Sequence, residues 1–475
     1  MRLGTLYPEC EDQADDKIIT GFAIDHRKIA PGTVFGAFKG ETFNGEDFIA
    51  DAVAAGAVVI VADPSVKVEG AVHIGNSNPR QAFAELASRF FSPFPSHIAA
   101  VTGTNGKTST VELTRQLWRM AGHNAASIGT LGVTTSGEQV STGLTTPDIV
   151  TFLANMSGLA REGVSHVAFE ASSHGLSQYR TEGVPVQVGA FTNLSRDHLD
   201  YHGNMEEYFN AKMRLFDEVV ADGGTAVIWA DDAWSNQAIV RAKARDLNLI
   251  TVGEKGQGIR LLSRTPTQLG QSLELFVQGA AMTLKLPLIG AYQASNALVA
   301  AGIVLSSGCD LEEVLGHLAR LQPVRGRLER AVITRSGAPV YVDYAHTPDG
   351  LNAATAAMRP HTKGRLIIVF GAGGDRDKGK RPEMGAIAVA TSDIAIVTDD
   401  NPRSEDPSAI RADIMAGADG AIEIGDRRAA IQYAIGLAEA DDIVLIAGKG
   451  HEQGQVVGDR VLPFDDVQVA RECAA

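Results

Sequence analysis

The segment Ile98-Ala-Ala-Val-Thr-Gly-Thr-Asn-Gly-Lys-Thr-Ser109 has the residue types and the order needed to hold a phosphate. An apolar run enters a glycine turn, and a helix-forming stretch starts at Ser109. Gly103 and Gly106, with Thr104 and Asn105 in the turn, let backbone N–H groups point inward. Lys107 adds a compact positive charge, and the first N–H groups of a helix complement an anion. The Thr108 or Ser109 hydroxyl is a candidate magnesium ligand. The general phosphate-loop pattern asks for a further glycine where Val101 stands, so that pattern is not met as written. Two more groups could serve a metal near such a loop: Glu170 at the end of an apolar run and His198 just beyond another. A carboxylate suits magnesium better than an imidazole does, and a buried Glu–His hydrogen bond is the plainer alternative. Lys212 reads by itself as a surface lysine paired with Glu207 or Asp217. If desolvated, it would have a lowered pKa and a nucleophilic amine.

The elements that must position these groups are strands alternating with helices. Ala57–Ala62 reads as a buried strand, and residues 78–91 as a helix with Phe83, Leu86, Ala87 and Phe90 at helical spacing. The breaker-rich Ser92-Pro-Phe-Pro-Ser96 suits a domain boundary. Residues 98–102, 166–171, 188–192 and 225–230 are strand candidates; 109–121 and 205–220 are helix candidates. Pro323 and Gly326 mark a second boundary. Beyond it, short apolar runs at 340–343, 366–370, 394–397 and 443–446 each open into a polar or glycine-rich loop. Ligands of open α/β sheets sit beyond the carboxyl ends of the strands, where these loops fall. The expected architecture is α/β in three domains. A small mixed α/β domain covers 1–95, a central phosphate-loop open sheet with helices covers 96–323, and a Rossmann-like open sheet covers 324–475. No internal repeat is evident.

The 475 residues carry a formal net charge of -15, which argues against nucleic acid as a partner. Cys10, Cys309 and Cys473 are too scattered for a disulfide framework or a paired zinc motif. Met1 to Asp16 has no signal-peptide core, and the longest apolar run is too short to span a bilayer. A cytoplasmic monomer without membrane insertion is expected.

Gly103-Thr-Asn-Gly-Lys-Thr-Ser109 resembles the shortened phosphate loop of the Mur ligases and their folylpolyglutamate synthetase relatives. Further segments match in the family's order across most of the chain. The resemblance implies an ATP-dependent amide ligase, with ATP and Mg2+, that activates a carboxylate as an acyl phosphate. Asn296, Arg327, Asp343 and His346 fall at its nucleotide contacts. Glu170, His198, Thr108 and Lys212 fall at its metal site, with Lys212 carbamylated. The closest likeness is to the tripeptide-forming branch of peptidoglycan synthesis, which extends UDP-N-acetylmuramoyl-L-alanyl-D-glutamate. By that likeness Thr145, Thr146, Ser172, Gln178 and Arg180 contact the muramoyl dipeptide. Ile24, His26, Glu41, Thr42 and Phe43 fall at the nucleotide-sugar end. His26 stands where the family usually has serine, a departure that puts the local uridine contact in question.

Asp400-Asn-Pro-Arg403 marks, in this branch, ligases that use meso-2,6-diaminopimelate as amine donor. Diaminopimelate is lysine with a second carboxylate, which Arg403 would clamp in two hydrogen bonds. Lysine would leave that arginine unpaired. Arg376, Gly448 and Glu452 complete the implied donor site, with Glu452 on the distal ammonium. Residues Asp399 to Arg403, with Asp400, Asn401 and Pro402 among them, also read as a turn, which would present Arg403. Because donor and nucleotide motifs fall in different domains, closure of the domains is expected. A phosphate-loop NTPase or kinase, an inactive nucleotide-sugar binder and a folylpolyglutamate synthetase are the competing readings. The first leaves the four strand-end loops without a purpose, and the second leaves Lys107, Glu170, His198 and Lys212 without one. The third is disfavoured by the Asp400 to Arg403 loop and the additional N-terminal domain.

Overall fold

The computed structural model describes residues 1–9, 16–40, 43–140 and 145–475. Its contacts divide the chain into two compact units. One is Met1–Thr251 with Gly302–Cys309; the other is Val252–Ala301 with Asp310–Ala475.

The first unit begins with a parallel sheet of β1 (Gly21–Ala23), β2 (Thr33–Gly36), β3 (Ala57–Ala62) and β4 (Val72–Gly75), paired in that order. β3 is apolar throughout because both its faces are covered: Val59 and Val61 enter one core, Ile60 and Ala62 another. Helix α1 (Pro79–Phe91) starts where Asn78 caps it and Pro79 pre-sets its first turn. It buries Phe83, edge-on to Phe22 and Phe38 with ring centroids 5.4 Å apart in each case.

Next come β5 (His97–Thr102), α2 (Lys107–Met120), β6 (Ala125–Gly129), α3 (Ile149–Arg161), β7 (His166–Glu170), β8 (Val186–Phe191), α4 (Met205–Arg214) and β9 (Val220–Trp229). The order of the parallel strands is β9-β8-β5-β7-β6, with two short strands, Gly132–Thr134 and Gln139–Val140, added antiparallel beyond β6. Thr102 pairs with Phe191, and Val101 with Glu170. The loops that follow β5, β7 and β8 therefore leave the sheet side by side.

Among the boundaries that differ from expectation, two have a clear cause. α2 begins at Lys107, two residues early, because Gly106 takes a left-handed conformation (φ 85°) that turns the chain directly into the helix. α4 ends at Arg214; a π-type turn at Leu215–Val219 follows, and Val220 already belongs to β9. The turn buries Leu215, Phe216 and Val219, so the apolar pattern continues through it and gives no stop signal.

The second unit opens with an antiparallel meander of β10 (Ile259–Thr267), β11 (Gly270–Val277) and β12 (Ala280–Leu286), which sequence reasoning did not foresee. Its main sheet runs β13 (Glu329–Ile333), β14 (Pro339–Asp343), β18 (Ile443–Ala447), β15 (Leu366–Phe370), β16 (Ile394–Val397) and β17 (Ile422–Glu423). Only β13 is antiparallel. Alternate residues of β15 serve opposite cores, Ile368 and Phe370 on one face and Ile367 and Val369 on the other. The expected α/β class is found. Among the described residues no helix is long and apolar enough to cross a membrane.

Candidate active site

The phosphate loop is held from the next loop over. Thr104 N–H donates to Asn193 O (2.9 Å), and Asn105 N–H to Asn193 Oδ1 (2.9 Å). Asn193 Nδ2 and Thr192 Oγ1 both donate to Asn105 O, at 3.0 and 2.6 Å. Ser195 N–H donates to Thr104 Oγ1 (3.0 Å), which also meets the Tyr208 hydroxyl at 3.3 Å. This clasp follows from β5 and β8 being neighbours, and sequence reasoning missed it. Gly103, at φ 149°, lies against Thr192, where a Cβ would overlap the Thr192 hydroxyl.

Two ammonium groups converge on this loop. Lys107 Nζ donates to Gly103 O and Thr104 O, both at 2.9 Å. Lys212 Nζ donates to Gly103 O at 2.8 Å and sits 4.3 Å above the Tyr208 ring. Lys212 is 1% exposed, so it is not the surface lysine its sequence surroundings suggest. Its ion pair with Glu207 or Asp217 does not form; Asp217 pairs with Arg241 instead. Burial, then the charge of Lys107, hold its pKa well below the usual lysine range.

Glu170 ends β7 and is buried. Thr130 N–H donates to its Oε1 (2.7 Å) and the Thr130 hydroxyl to its Oε2 (3.4 Å). Gly129 makes room for it, since a Cβ there would overlap the carboxylate. His198 takes a left-handed conformation (φ 53°) and is half-exposed, with Nε2 3.5 Å from Asp197. It meets His174 edge-on at 4.9 Å. Thr108 and Ser109 are buried in the first turn of α2. Among the described residues no three His, Cys, Asp or Glu side chains are grouped to hold a metal. Glu170 and the Thr108 hydroxyl are hard oxygen donors of the kind magnesium prefers, and a carboxylate on Lys212 would be another.

Beside them lies a polar network. Thr146 Oγ1 donates to Glu170 O (2.8 Å) and meets Ser172 Oγ (3.0 Å). Thr145 and Thr130 hydroxyls are 3.1 Å apart. Arg180 donates to Gln178 Oε1 through Nε and Nη2 (3.1 and 2.6 Å) and to Thr146 O through Nη1 (3.1 Å). The structure thus brings Thr145, Thr146, Ser172, Gln178 and Arg180 together. In the N-terminal sheet region, Ile24 packs against the core, and the His26 ring stacks flat on Phe48 with centroids 4.2 Å apart. Phe43 is 74% exposed, while Glu41 and Thr42 lie outside the described residues.

In the second unit, Asn296 Nδ2 donates to Gln293 Oε1 (3.2 Å), and Gln293 Nε2 to Arg327 O (3.1 Å). The Arg327 guanidinium lies 5.2 Å over the Tyr344 ring. Asp343 accepts from Leu328 N–H (2.8 Å) and Ala345 N–H (2.9 Å); burial pushes its pKa up, against the pull of Arg327. His346 is exposed, with Nδ1 donating to Tyr344 O (2.8 Å).

The residues expected from sequence at the donor site follow the carboxyl ends of β15, β16 and β18. Asn401 Nδ2 donates to Glu452 Oε2 (2.8 Å), and the fully buried Lys449 donates to Asn401 Oδ1 (3.0 Å) and Glu452 Oε2 (3.2 Å). Lys449 was not singled out from sequence, though it stands in the Gly448 to Glu452 loop. Asp400 accepts from Asn401 N–H at 2.7 Å, and its buried Oδ2 has no hydrogen-bond partner. Gly448, at φ 116°, leaves no space for a Cβ beside that oxygen. Arg403, itself at φ 53°, donates through Nη1 to Gly374 O (2.8 Å) and is in no ion pair with a described residue. Arg376 is exposed and makes no hydrogen bond to described residues. The loop carrying it is braced by Glu405, which accepts from Asp375 N–H (2.6 Å) and pairs with buried Arg381 (2.8 Å).

Comparison with known proteins gives the class. Residues 18–91 match the model of the Mur ligase family catalytic domain, 101–304 the Mur ligase middle domain, and 326–450 the Mur ligase glutamate ligase domain. The chain belongs to the Mur ligase family. It is 61% identical to the UDP-N-acetylmuramoyl-L-alanyl-D-glutamate--2,6-diaminopimelate ligase of Zymomonas mobilis, over 96% of this chain and 95% of that one. It is 52% identical to the Bradyrhizobium diazoefficiens protein of the same name, over 94% and 93%. A solved structure of a ligase so named superposes with a TM-score of 0.78 at 32% identity, covering 100% of this chain and 98% of that one. The MurF ligase of Thermotoga maritima in complex with ADP, 18% identical with a TM-score of 0.60 over 96% and 97%, shares the fold.

Proposed function

We propose that this chain is an ATP-dependent ligase that joins meso-2,6-diaminopimelate to the D-glutamyl side-chain carboxylate of UDP-N-acetylmuramoyl-L-alanyl-D-glutamate, forming the peptidoglycan tripeptide precursor. The names of relatives that share half or more of its residues support this reading. The observation that carries the choice of donor is Arg403. Its guanidinium is partly buried and tethered to a carbonyl, and it has no carboxylate partner among the described residues. It is preset for the second carboxylate that distinguishes diaminopimelate from lysine.

In the proposed cycle the γ-phosphate of ATP rests on Gly103 to Ser109, and Lys107 leaves its carbonyl partners to neutralise the charge of the transferring phosphoryl group. Attack by the glutamyl carboxylate releases ADP and gives an acyl phosphate. Attack by the donor amine then forms the amide and releases phosphate. Arg180, Gln178, Thr146 and Ser172 orient the acceptor; Arg403, Asp400 and Glu452 orient the donor, with Arg376 as a further contact. Asn296, Arg327, Asp343 and His346 are the nucleotide contacts of the second unit. Lys212 in this reading adds CO2 at Nζ, losing one proton, and its new carboxylate, with Glu170, His198 and the Thr108 hydroxyl, would hold magnesium. Magnesium would supply charge neutralisation at the phosphates. The same reading makes the protein a cytoplasmic monomer with small-molecule substrates.

Phosphate release with ATP, magnesium and the UDP-linked dipeptide, comparing meso-diaminopimelate with L-lysine, tests the reading. Turnover that requires diaminopimelate is expected. Turnover with lysine alone would overturn the donor assignment, and release without any amine would overturn the ligase.

A further inference from the structure

Lys449 is fully buried among residues assigned above to the donor, and the proposed cycle gives it no part. It stands between Gly448 and Gly450, at φ 116° and 55°. A Cβ at Gly448 would overlap Asp400 and one at Gly450 would overlap Tyr344, so the tight turn that carries Lys449 needs both glycines. Its Nζ donates to Asn401 Oδ1 (3.0 Å) and to Glu452 Oε2 (3.2 Å). Asn401 Oδ1 also accepts from Val456 N–H (2.9 Å). Two donors on one amide oxygen fix the sense of the amide, because the flipped group would set its NH2 against both. Nδ2 is thereby aimed at Glu452 Oε2, which it reaches at 2.8 Å. Both bonds into the Glu452 carboxylate thus end on the same oxygen. Oε1 has no hydrogen bond among the described residues, and the Glu452 side chain is 32% exposed. One oxygen is held from within the fold and the other is presented. A buried ion pair adds little to stability over apolar groups of the same shape. What this one provides is a fixed direction for a carboxylate.

We propose that Lys449 is a positioning residue for the donor: by holding Glu452 Oε2 and fixing the Asn401 amide, it aims Glu452 Oε1 at the distal ammonium of diaminopimelate and sets the preference for a donor that carries this group. The inference rests on the donor assigned above. A carboxylate free to rotate loses side-chain entropy when it binds an ammonium, whereas one fixed in advance does not. The two ammonium groups share the carboxylate, one on each oxygen, so Lys449 does not compete with the ligand for the same lone pairs.

The test is Lys449→Met, which keeps an unbranched side chain in the space and removes the ammonium. It is assayed with diaminopimelate and with 2-aminopimelate, which has both carboxylates and the reacting amine but no distal ammonium. kcat/KM for diaminopimelate should fall about tenfold or more, and that for 2-aminopimelate by no more than about twofold, so that the preference between them collapses. The KM values for ATP and the UDP-linked dipeptide should stay as in the unaltered protein. A second arm uses Glu452→Gln. Because Lys449 acts through Glu452, adding Lys449→Met to that variant should cost little further diaminopimelate activity, whereas a packing role would cost as much in either background. An equal fall for both donors, no fall for either, or additive losses in the double variant overturns the proposal. So does an unaltered protein that uses the two donors equally well. Turnover of diaminopimelate by that protein in the same assay keeps each of these failures distinct from failure of the ligase and donor reading.

Discussion

Lys212 and Arg403 are both cations that lack the counter-ion their surroundings would normally provide, for opposite chemical ends. At Lys212 the protein disfavours the charge itself: the amine is buried and faces Lys107. A lowered pKa favours the free amine, the form that reacts with CO2. Lys212→Arg, which keeps the charge and cannot be carbamylated, should lose ligase turnover by about a hundredfold or more while the fold persists. Intact mass under bicarbonate, together with phosphate release, checks this; turnover near that of the unaltered protein would remove carbamylation from the mechanism. At Arg403 the charge is permanent and held ready for a ligand. Arg403→Ala should lower kcat/KM for diaminopimelate by about a hundredfold or more and leave ATP binding within a factor of two or so. Titration of nucleotide and steady-state kinetics distinguish this from misfolding, in which both would fall.

The strand ends and the glycines beside them decide whether these side chains meet. Gly129 at the end of β6 has no Cβ to collide with Glu170 on β7, so the two strands can pair closely with the carboxylate between them. Gly129→Ala should displace Glu170 and reduce turnover more than tenfold with little change in the circular dichroism spectrum. Normal turnover would mean that Glu170 can move without consequence. Much at this scale was legible beforehand. β3, β15 and β16 occupy the ranges read from sequence, because a strand covered on both faces is an unbroken apolar run. Other features were hidden for physical reasons. In β11, buried Leu273 and Leu275 alternate with exposed Glu274 and Phe276, and an exposed phenylalanine blurs the alternation. The clasp of Thr192, Asn193 and Ser195 on the phosphate loop joins polar residues distant in the chain, where no periodicity leads.

Over the whole molecule, stability should depend on pH through groups far from the phosphate loop. At the amino ends of β5 and β7, His97, His166 and His123 stack, with ring centroids 4.3 Å and 4.1 Å from His166, and Trp118 covers them edge-on at 5.1 Å. Burial, then the two neighbouring imidazoles, lower the His166 pKa to about 3. An unfolded histidine titrates near 6.5. Between these values the unfolded chain binds the extra proton, so stability rises with pH across the window. The contribution of neutral His166 is complete above about pH 6.5 and is lost as the pH falls toward 3. Going from about pH 7 to about pH 5 should remove about 2 kcal/mol through this residue alone. His361, His202 and His451 are also held below their usual value and add to the same trend, so the comparison must be with a variant in which only His166 is silent. His166→Phe keeps an aromatic ring in the stack and removes the titration. Urea unfolding at the two pH values should give a smaller loss in the variant by about that amount. Equal losses in the two proteins would mean that His166 keeps its ordinary pKa and that the acid sensitivity arises from the other buried imidazoles.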